Sequence, residues 1–207
     1  MAVQPDKSRS NEEVESNSSG QLTATLPAWI YYSQDFFEAE KQNIFLTSWQ
    51  LVGHTSDLPE PGCYITFQLY QERAFVVRTN TDEIKAFHNV CRHRAHILLD
   101  DGQGKCPGKV VCPYHGWTYN LDGERTAMGH PKSFPAHDAE HFGLAPIDIE
   151  IYGGFIFIRF RTEAEGASVA ERMAPVHDEF MAYQTHRMTP EENCQTEPAT
   201  WTHAVDA

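Results

Sequence analysis

Apolar residues recur along this chain with two different periods, and the change between them falls at Trp49. Residues 1 to about 24 are rich in Ser, Asn and Glu and carry no apolar periodicity, which predicts a disordered tail. Order is expected from "LPAWIYYS" onward. Ser33 suits an N-cap, and Asp35 and Glu38 place negative charge in the first turns, where the helix dipole favours it. Phe36, Phe37, Ile44 and Phe45 then follow at helical spacing, so the spacing predicts a helix over about 34 to 47, within an N-terminal helical segment 25–48.

From Trp49 the alternation becomes that of strands. "WQLVGH", "CYITFQLY", "AFVVRT", "EIKAFHN", "KVVCP" and "WTYN" are short apolar runs, separated by "EPG", "TNTD" and "DDGQG", which read as turns. Asp122-Gly123 is a hairpin-type signal. Residues 124 to 145 read as loop, with Gly129, Pro131, Pro135 and Gly143, before two further strands at about 147–152 and 154–160. Residues 168 to 183 read as helix, restarted at Pro175, and no internal repeat is visible. The fold class is therefore mainly β, an antiparallel sandwich or barrel over residues 49–160, with an N-terminal helix and a short α/β segment at 161–207.

Composition narrows the function. The chain has 207 residues, about one domain with a second beginning, and its twelve phenylalanines and four tryptophans suffice for a real core. A formal charge of −13 argues against nucleic acid or an anionic membrane as partner, and is compatible with a partner that presents a basic patch. Five cysteines, at 63, 91, 106, 112 and 194, are an odd number, and the polar N-terminus lacks the apolar stretch of a secretory signal. No apolar run approaches the length of a membrane span. The expected compartment is the reducing cytoplasm, where clustered cysteines bind metal more often than each other.

Two stretches carry the chemistry. "CRHRAH" supplies Cys91-x-His93 and "CPYHGW" supplies Cys112-x-x-His115. Thiolate and neutral imidazole are ligands for zinc and iron alike, so four such groups suit one zinc ion or a two-iron cluster. Zinc modules usually pair like with like, whereas here each arm contributes one sulfur and one nitrogen. That order suits a [2Fe–2S] cluster in which two histidines replace two cysteines on one iron.

"NVCRHRAHILLDDG" followed by "VVCPYHGWTYNLDGE" resembles the cluster-binding part of Rieske non-haem iron oxygenases, the ring-hydroxylating oxygenase α-subunits and their relatives. The resemblance extends from "LPAWIYYSQDFFEAEKQNIFLTSWQLVGH" to "GLAPIDIEIYGGFIFIRF", residues 27 to about 160. It implies a Rieske domain at 49–160, with Cys91 and Cys112 on one iron and His93 and His115 on the other. It also implies a reductase or ferredoxin that delivers NAD(P)H-derived electrons, and a mononuclear non-haem Fe(II) in full-length relatives, commonly in the neighbouring subunit of a homotrimer. Such enzymes oxygenate aromatic or quaternary-amine substrates. The alternatives are a stand-alone Rieske ferredoxin-like carrier, which would have no counterpart to residues 27 to 48, or an inactive gene remnant.

Respiratory Rieske proteins carry an extra cysteine in each loop and a serine after the second His-Gly; this chain has His96, Tyr114 and Trp117 at the corresponding places. Fewer hydrogen bonds to sulfur imply a potential near the low end of the Rieske range, roughly −150 mV. In α-subunits a catalytic domain follows, opening with N-W-K-x-x-x-[ED]-N. In "ATWTHAVDA" Trp201 and Asp206 fit that pattern, while Thr200, Thr202 and Ala207 depart from it. Residues 161–207 thus read as the start of a truncated catalytic domain, and His177, His186 and His203 stand outside the family's iron-ligand context. No catalytic residue is expected in this chain. Among the remaining candidates, "HDAEH" at 137–141 matches an inverted zinc-protease pattern but sits in a loop-like stretch without the helix that pattern needs. His96 is expected to pack or support the site, Cys63, Cys106 and Cys194 to be ordinary thiols, and Trp117 and Tyr119 to be core residues that also shield the cluster.

Overall fold

The computed structural model describes residues 26–129, 142–161 and 166–189. The N-terminal tail, the "HDAEH" stretch, Cys194 and "ATWTHAVDA" lie outside the described residues. The chain divides into two compact units, one ending at Glu38 and one beginning at Ala39.

In the first unit a 3-10 turn, Ala28–Tyr31, precedes the start of helix α1 (Gln34–Glu40), whose last two residues belong to the second. Ser33 caps α1 as expected, its Oγ accepting the Phe36 amide at 3.2 Å. In the second unit the helical path does not continue as α. Lys41–Phe45 forms a wider π turn in which the Leu46 amide reaches back five residues to the Lys41 carbonyl, at 3.0 Å. Polar side chains take up neighbouring carbonyls here: Asn43 donates to Ala39 O at 2.8 Å and Thr47 to Asn43 O at 2.8 Å. The wider turn changes which residue faces inward. Ile44, assigned to the apolar stripe by helical spacing, is exposed, and Leu46 is fully buried.

Ten strands follow: β1 (Gln50–His54), β2 (Cys63–Leu69), β3 (Glu72–Arg78), β4 (Ile84–His88), β5 (Gln103–Lys105), β6 (Lys109–Val111), β7 (Thr118–Asn120), β8 (Arg125–Ala127), β9 (Asp148–Tyr152) and β10 (Phe155–Arg159). They form three antiparallel sheets, ordered β1-β10-β9, β4-β3-β2-β5 and β6-β7-β8. Strand β3 explains how they stack. Its "AFVV" run is buried on both faces: Phe75 and Val77 join one core, Ala74 and Val76 another. The second core is completed by Ile156 and Ile158 of β10, the first by Val110, Trp117, Tyr119 and Leu121 from the small sheet and its loops. Each fully buried side chain of this size contributes about 1.5–3 kcal/mol.

Two strands escaped the sequence pattern. β5 lies inside a stretch read as a turn, and β8 inside the 124–145 loop. Both are three residues long and lack the larger apolar side chains that mark the equally short β6 and β7. In β5 Gly104 lies against the Tyr64 ring of β2, where a Cβ would come within 2.5 Å of the phenol oxygen. The C-terminal helices match expectation: α2 (Val169–Met173), with a Ser168/Glu171 capping box, is followed by a 3-10 turn at Pro175 and α3 (His177–Ala182). Among the described residues no helix is long and apolar enough to cross a membrane.

Candidate metal centre

Two loops leave the sheets with the same backbone design. In the first, after β4, the Cys91 amide donates to His96 O at 2.8 Å and the Ala95 amide donates to Cys91 O at 3.0 Å. In the second, between β6 and β7, the Cys112 amide donates to Trp117 O at 2.7 Å and the Gly116 amide to Cys112 O at 3.0 Å. The residue four places after each cysteine turns left-handed, Ala95 with φ 56° and Gly116 with φ 69°. The loops differ in where the histidine leaves, two residues after Cys91 and three after Cys112.

The first loop is held shut by Asn89, a residue the sequence reading passed over. Its side chain is buried; Oδ1 accepts the amides of Leu98 (3.2 Å) and Leu99 (3.0 Å), and Nδ2 donates to Leu99 O at 2.7 Å. Its own amide donates to Arg73 O at 2.8 Å, which anchors the clamp to β3. The second loop is packed from behind by Gly129, where a Cβ would come within 2.0 Å of the His115 carbonyl. Both residues act through backbone satisfaction and close approach, which leave no periodic or motif signal.

The four predicted residues come together, and they come together in pairs. Cys91 and Cys112 are both 2% exposed, and Cys112 lies close enough to Cys91 to raise the pKa of its thiol. His93 and His115 are half-buried, with ring centroids 4.7 Å apart at 75°. Among the described residues no three His, Cys, Asp or Glu side chains converge as a single ion would require. The sulfurs pair at the buried end and the imidazoles toward the surface, a division that suits two metals better than one.

The electrostatics fit a metal centre. Burial first, then the neighbouring Cys112, pushes the Cys91 thiol up, against the Tyr119 hydroxyl and the His93 amide, which favour thiolate. A bound cation would reverse that balance and release the proton. His93 is pushed down, by desolvation first and then by His115 and Arg94, so the imidazole is held neutral, the form that ligates metal. His115 Nδ1 is buried and has no hydrogen-bond partner. An orphaned buried nitrogen of this kind costs about 1–3 kcal/mol unless something occupies it, and a metal position accounts for it.

Aromatic rings line the pair. His93 stacks on Trp117 at 4.9 Å and 12°, and His115 packs against Tyr114 at 3.8 Å. Trp117 and Tyr119 are core residues, as expected, but Tyr119 does more. Its hydroxyl lies 3.3 Å from Cys91 Sγ and accepts the Arg92 amide at 3.1 Å. The expectation of fewer hydrogen bonds to sulfur than in respiratory proteins stands beside one such contact: Tyr119, four residues beyond His115, places a hydroxyl on Cys91. Arg92, Arg94 and His96 are exposed, and Cys106 lies in the same core as both predicted cysteines without joining them.

Residues 48–142 match the Rieske [2Fe–2S] domain. Over those residues the chain carries a Rieske [2Fe–2S] domain. It is 35% identical over 191 residues to the carnitine monooxygenase oxygenase subunit of Escherichia coli K12, a match covering 88% of this chain and 49% of that subunit. The fold agrees with a quaternary ammonium Rieske monooxygenase, described for carnitine oxidation and inter-subunit electron transfer, at TM-score 0.68 and 34% identity, covering 75% of this chain and 42% of the other. Naphthalene 1,2-dioxygenase with bound indole aligns at TM-score 0.63 and 30% identity, covering 70% of this chain and 32% of that one. The chain thus spans about half or less of the length of these relatives, and it is homologous to the oxygenase subunits of Rieske mono- and dioxygenases.

Proposed function

We propose that Cys91, Cys112, His93 and His115 hold the [2Fe–2S] group, thiolates on one iron and imidazoles on the other, and that the domain relays single electrons within a Rieske-type oxygenase. The observation that supports this best is the segregation of a buried sulfur pair from a more exposed imidazole pair. When bound, the group supplies a one-electron store. This chain's residues do the rest. Leu98, Trp117 and Tyr119 keep water from the sulfurs, the Asn89 clamp fixes the first loop, and the half-buried imidazoles bring the centre within reach of a partner at the surface.

On this reading a reductase or ferredoxin supplies NAD(P)H-derived electrons, and a mononuclear non-haem iron receives them, in a neighbouring subunit of a homotrimer. The substrate class is a quaternary ammonium compound rather than an arene, supported by higher identity to the carnitine enzyme than to naphthalene dioxygenase. Anaerobically purified or reconstituted protein should hold about two irons and two acid-labile sulfides per chain, with loss of both in His93→Ala or His115→Ala. One zinc and no sulfide would overturn the ligand assignment. O₂ uptake coupled to an arene and to no quaternary ammonium compound, in a polypeptide joining these residues to a mononuclear iron domain, would overturn the substrate class.

A further inference from the structure

Aromatic rings stand in series across the two loops. Trp117 stacks on His93 at 4.9 Å, His93 meets His115 at 4.7 Å, and His115 lies against Tyr114 at 3.8 Å. The series ends on His96, whose ring is 5.3 Å from that of Tyr114 and tilted by 40°. His93 and His96 belong to the first loop, and Tyr114, His115 and Trp117 to the second. The inner end is fixed by the core, since Trp117 is 1% exposed. The outer end is not: Tyr114 is 56% exposed and His96 is exposed as well.

His96 is nevertheless held. Its Nδ1 lies 2.6 Å from Ile97 O, and a carbonyl can only accept, so Nδ1 carries the proton and donates. Its own carbonyl accepts the Cys91 amide at 2.8 Å. Ring and backbone of His96 are thus both tied to the first loop, and Tyr114 of the second loop rests against a stationary ring.

We propose that His96 and Tyr114 latch the two loops together at their solvent edge, and that Tyr114 is a positioning residue for the His115 imidazole. The proposal rests on the reading of His93 and His115 as ligands of the [2Fe–2S] group. A ring at 3.8 Å and 33° covers one face of His115 and restricts rotation of its imidazole. Core packing does not hold the Tyr114 ring in that place, because more than half of it faces solvent. Without His96 it is free to turn outward into other rotamers. Separating the loops at this edge requires breaking the Tyr114–His96 contact, which joins one loop to the other. The latch therefore acts on local opening of the imidazole end, a motion that leaves the buried cores intact.

His96→Ala, Tyr114→Ala, Tyr114→Phe and the double alanine variant are compared as anaerobic holoproteins of matched iron and sulfide content. Each is challenged with excess EDTA, and loss of the visible circular dichroism of the group gives the rate. His96→Ala should lose the signal about fivefold faster, the scale of one aromatic pair. Tyr114→Ala should be faster still, and the double variant no faster than Tyr114→Ala, because His96 works through Tyr114. Tyr114→Phe keeps the ring and should match the unmodified protein. Should Tyr114→Ala not load, Tyr114→Leu takes its place in the comparison. An unchanged rate in His96→Ala, or alanine effects that simply multiply in the double variant, would overturn the latch. Failure of the ligand reading shows elsewhere, as full iron and sulfide in His93→Ala or His115→Ala.

Discussion

The Tyr119 hydroxyl sits 3.3 Å from Cys91 Sγ while accepting the Arg92 amide at 3.1 Å. Because the amide uses an oxygen lone pair, the hydroxyl proton remains for the sulfur, and a thiolate there can only accept. One strand residue thereby ties the second loop's sheet to the first loop's cysteine. Burial and the neighbouring sulfur push the Tyr119 phenol far up, so it stays protonated at any working pH. Tyr119→Phe should keep the [2Fe–2S] group but lower its midpoint, since a hydrogen bond to sulfur favours the more negative reduced state. A redox titration checks this, and an unchanged midpoint would remove Tyr119 from the account. Stability should fall by about 1 kcal/mol for the lost bond.

Asn89→Ala should be more damaging. It strands the amides of Leu98 and Leu99 and the Leu99 carbonyl in a buried setting. Each such group costs about 1–3 kcal/mol, less where the backbone relaxes, so a loss of roughly 2–4 kcal/mol is expected in urea unfolding. The folded fraction should also bind less iron, because the loop carrying Cys91 and His93 opens at its base. A variant as stable as the parent would show that the clamp is dispensable.

Ala95 and Gly116 occupy equivalent left-handed positions with opposite residue choices. Ala95→Gly relieves a strained backbone and Gly116→Ala imposes the same strain, with nothing within 4 Å of the new methyl to add a clash. Expected changes are a small gain, about 0.5 kcal/mol after the unfolded-state entropy of Gly is counted, and a loss of about 1–2 kcal/mol. Thermal unfolding of the two variants should therefore move in opposite directions.

Gly129→Ala tests a different constraint. The new Cβ would meet a backbone oxygen, the His115 carbonyl, which cannot swing aside as a side chain can. The second loop must shift, and the His115 imidazole with it. Iron and sulfide content should drop well below that of Gly116→Ala, although both substitutions add one methyl. Equal loading in the two would argue that the close approach is immaterial.

Acid sensitivity should include a contribution from His88. Burial, its largest influence, lowers this histidine's pKa, with Arg92 in the same direction and Glu72 opposing. A folded pKa below the unfolded value means that the unfolded chain binds more protons in the interval between them. The stability associated with neutral His88 is therefore intact above about pH 6.5, the ordinary value, and is lost as pH falls toward the lower folded value. His88→Gln should flatten the unfolding free energy over that window. An unchanged slope would place the acid sensitivity elsewhere.

Much of this was legible in the residues themselves. The mixed pairs Cys91/His93 and Cys112/His115 pointed to the proposed ligand set because metal ligation demands particular side chains at short spacing. The longer strands were readable because two-sided or alternating burial leaves a period, as in "AFVV" of β3. What failed was local inference about conformations decided by distant partners. Helical spacing put Ile44 inside, but polar bonds from Asn43 and Thr47 to carbonyls accompany a π turn that buries Leu46 instead. β5 pairs with β2 about forty residues earlier in the chain, whereas β8 pairs with adjacent β7 across Asp122-Gly123 and went unread because its residues are polar or small and lie in a stretch of glycines and prolines.

By itself, then, the sequence determined the β character, the order of the longer elements and the donor set proposed for the centre, because these depend on residue type and on neighbours along the chain. Only the tertiary structure decided that the sulfurs would pair beneath the imidazoles, that Tyr119 would reach Cys91 across 28 residues, and that Arg125 would lie over Trp117 against His93's stacking partner. Those relationships join groups on separate strands and loops. Their distances are set by sheet register and by which face each strand buries, and neither is written at any one position of the chain.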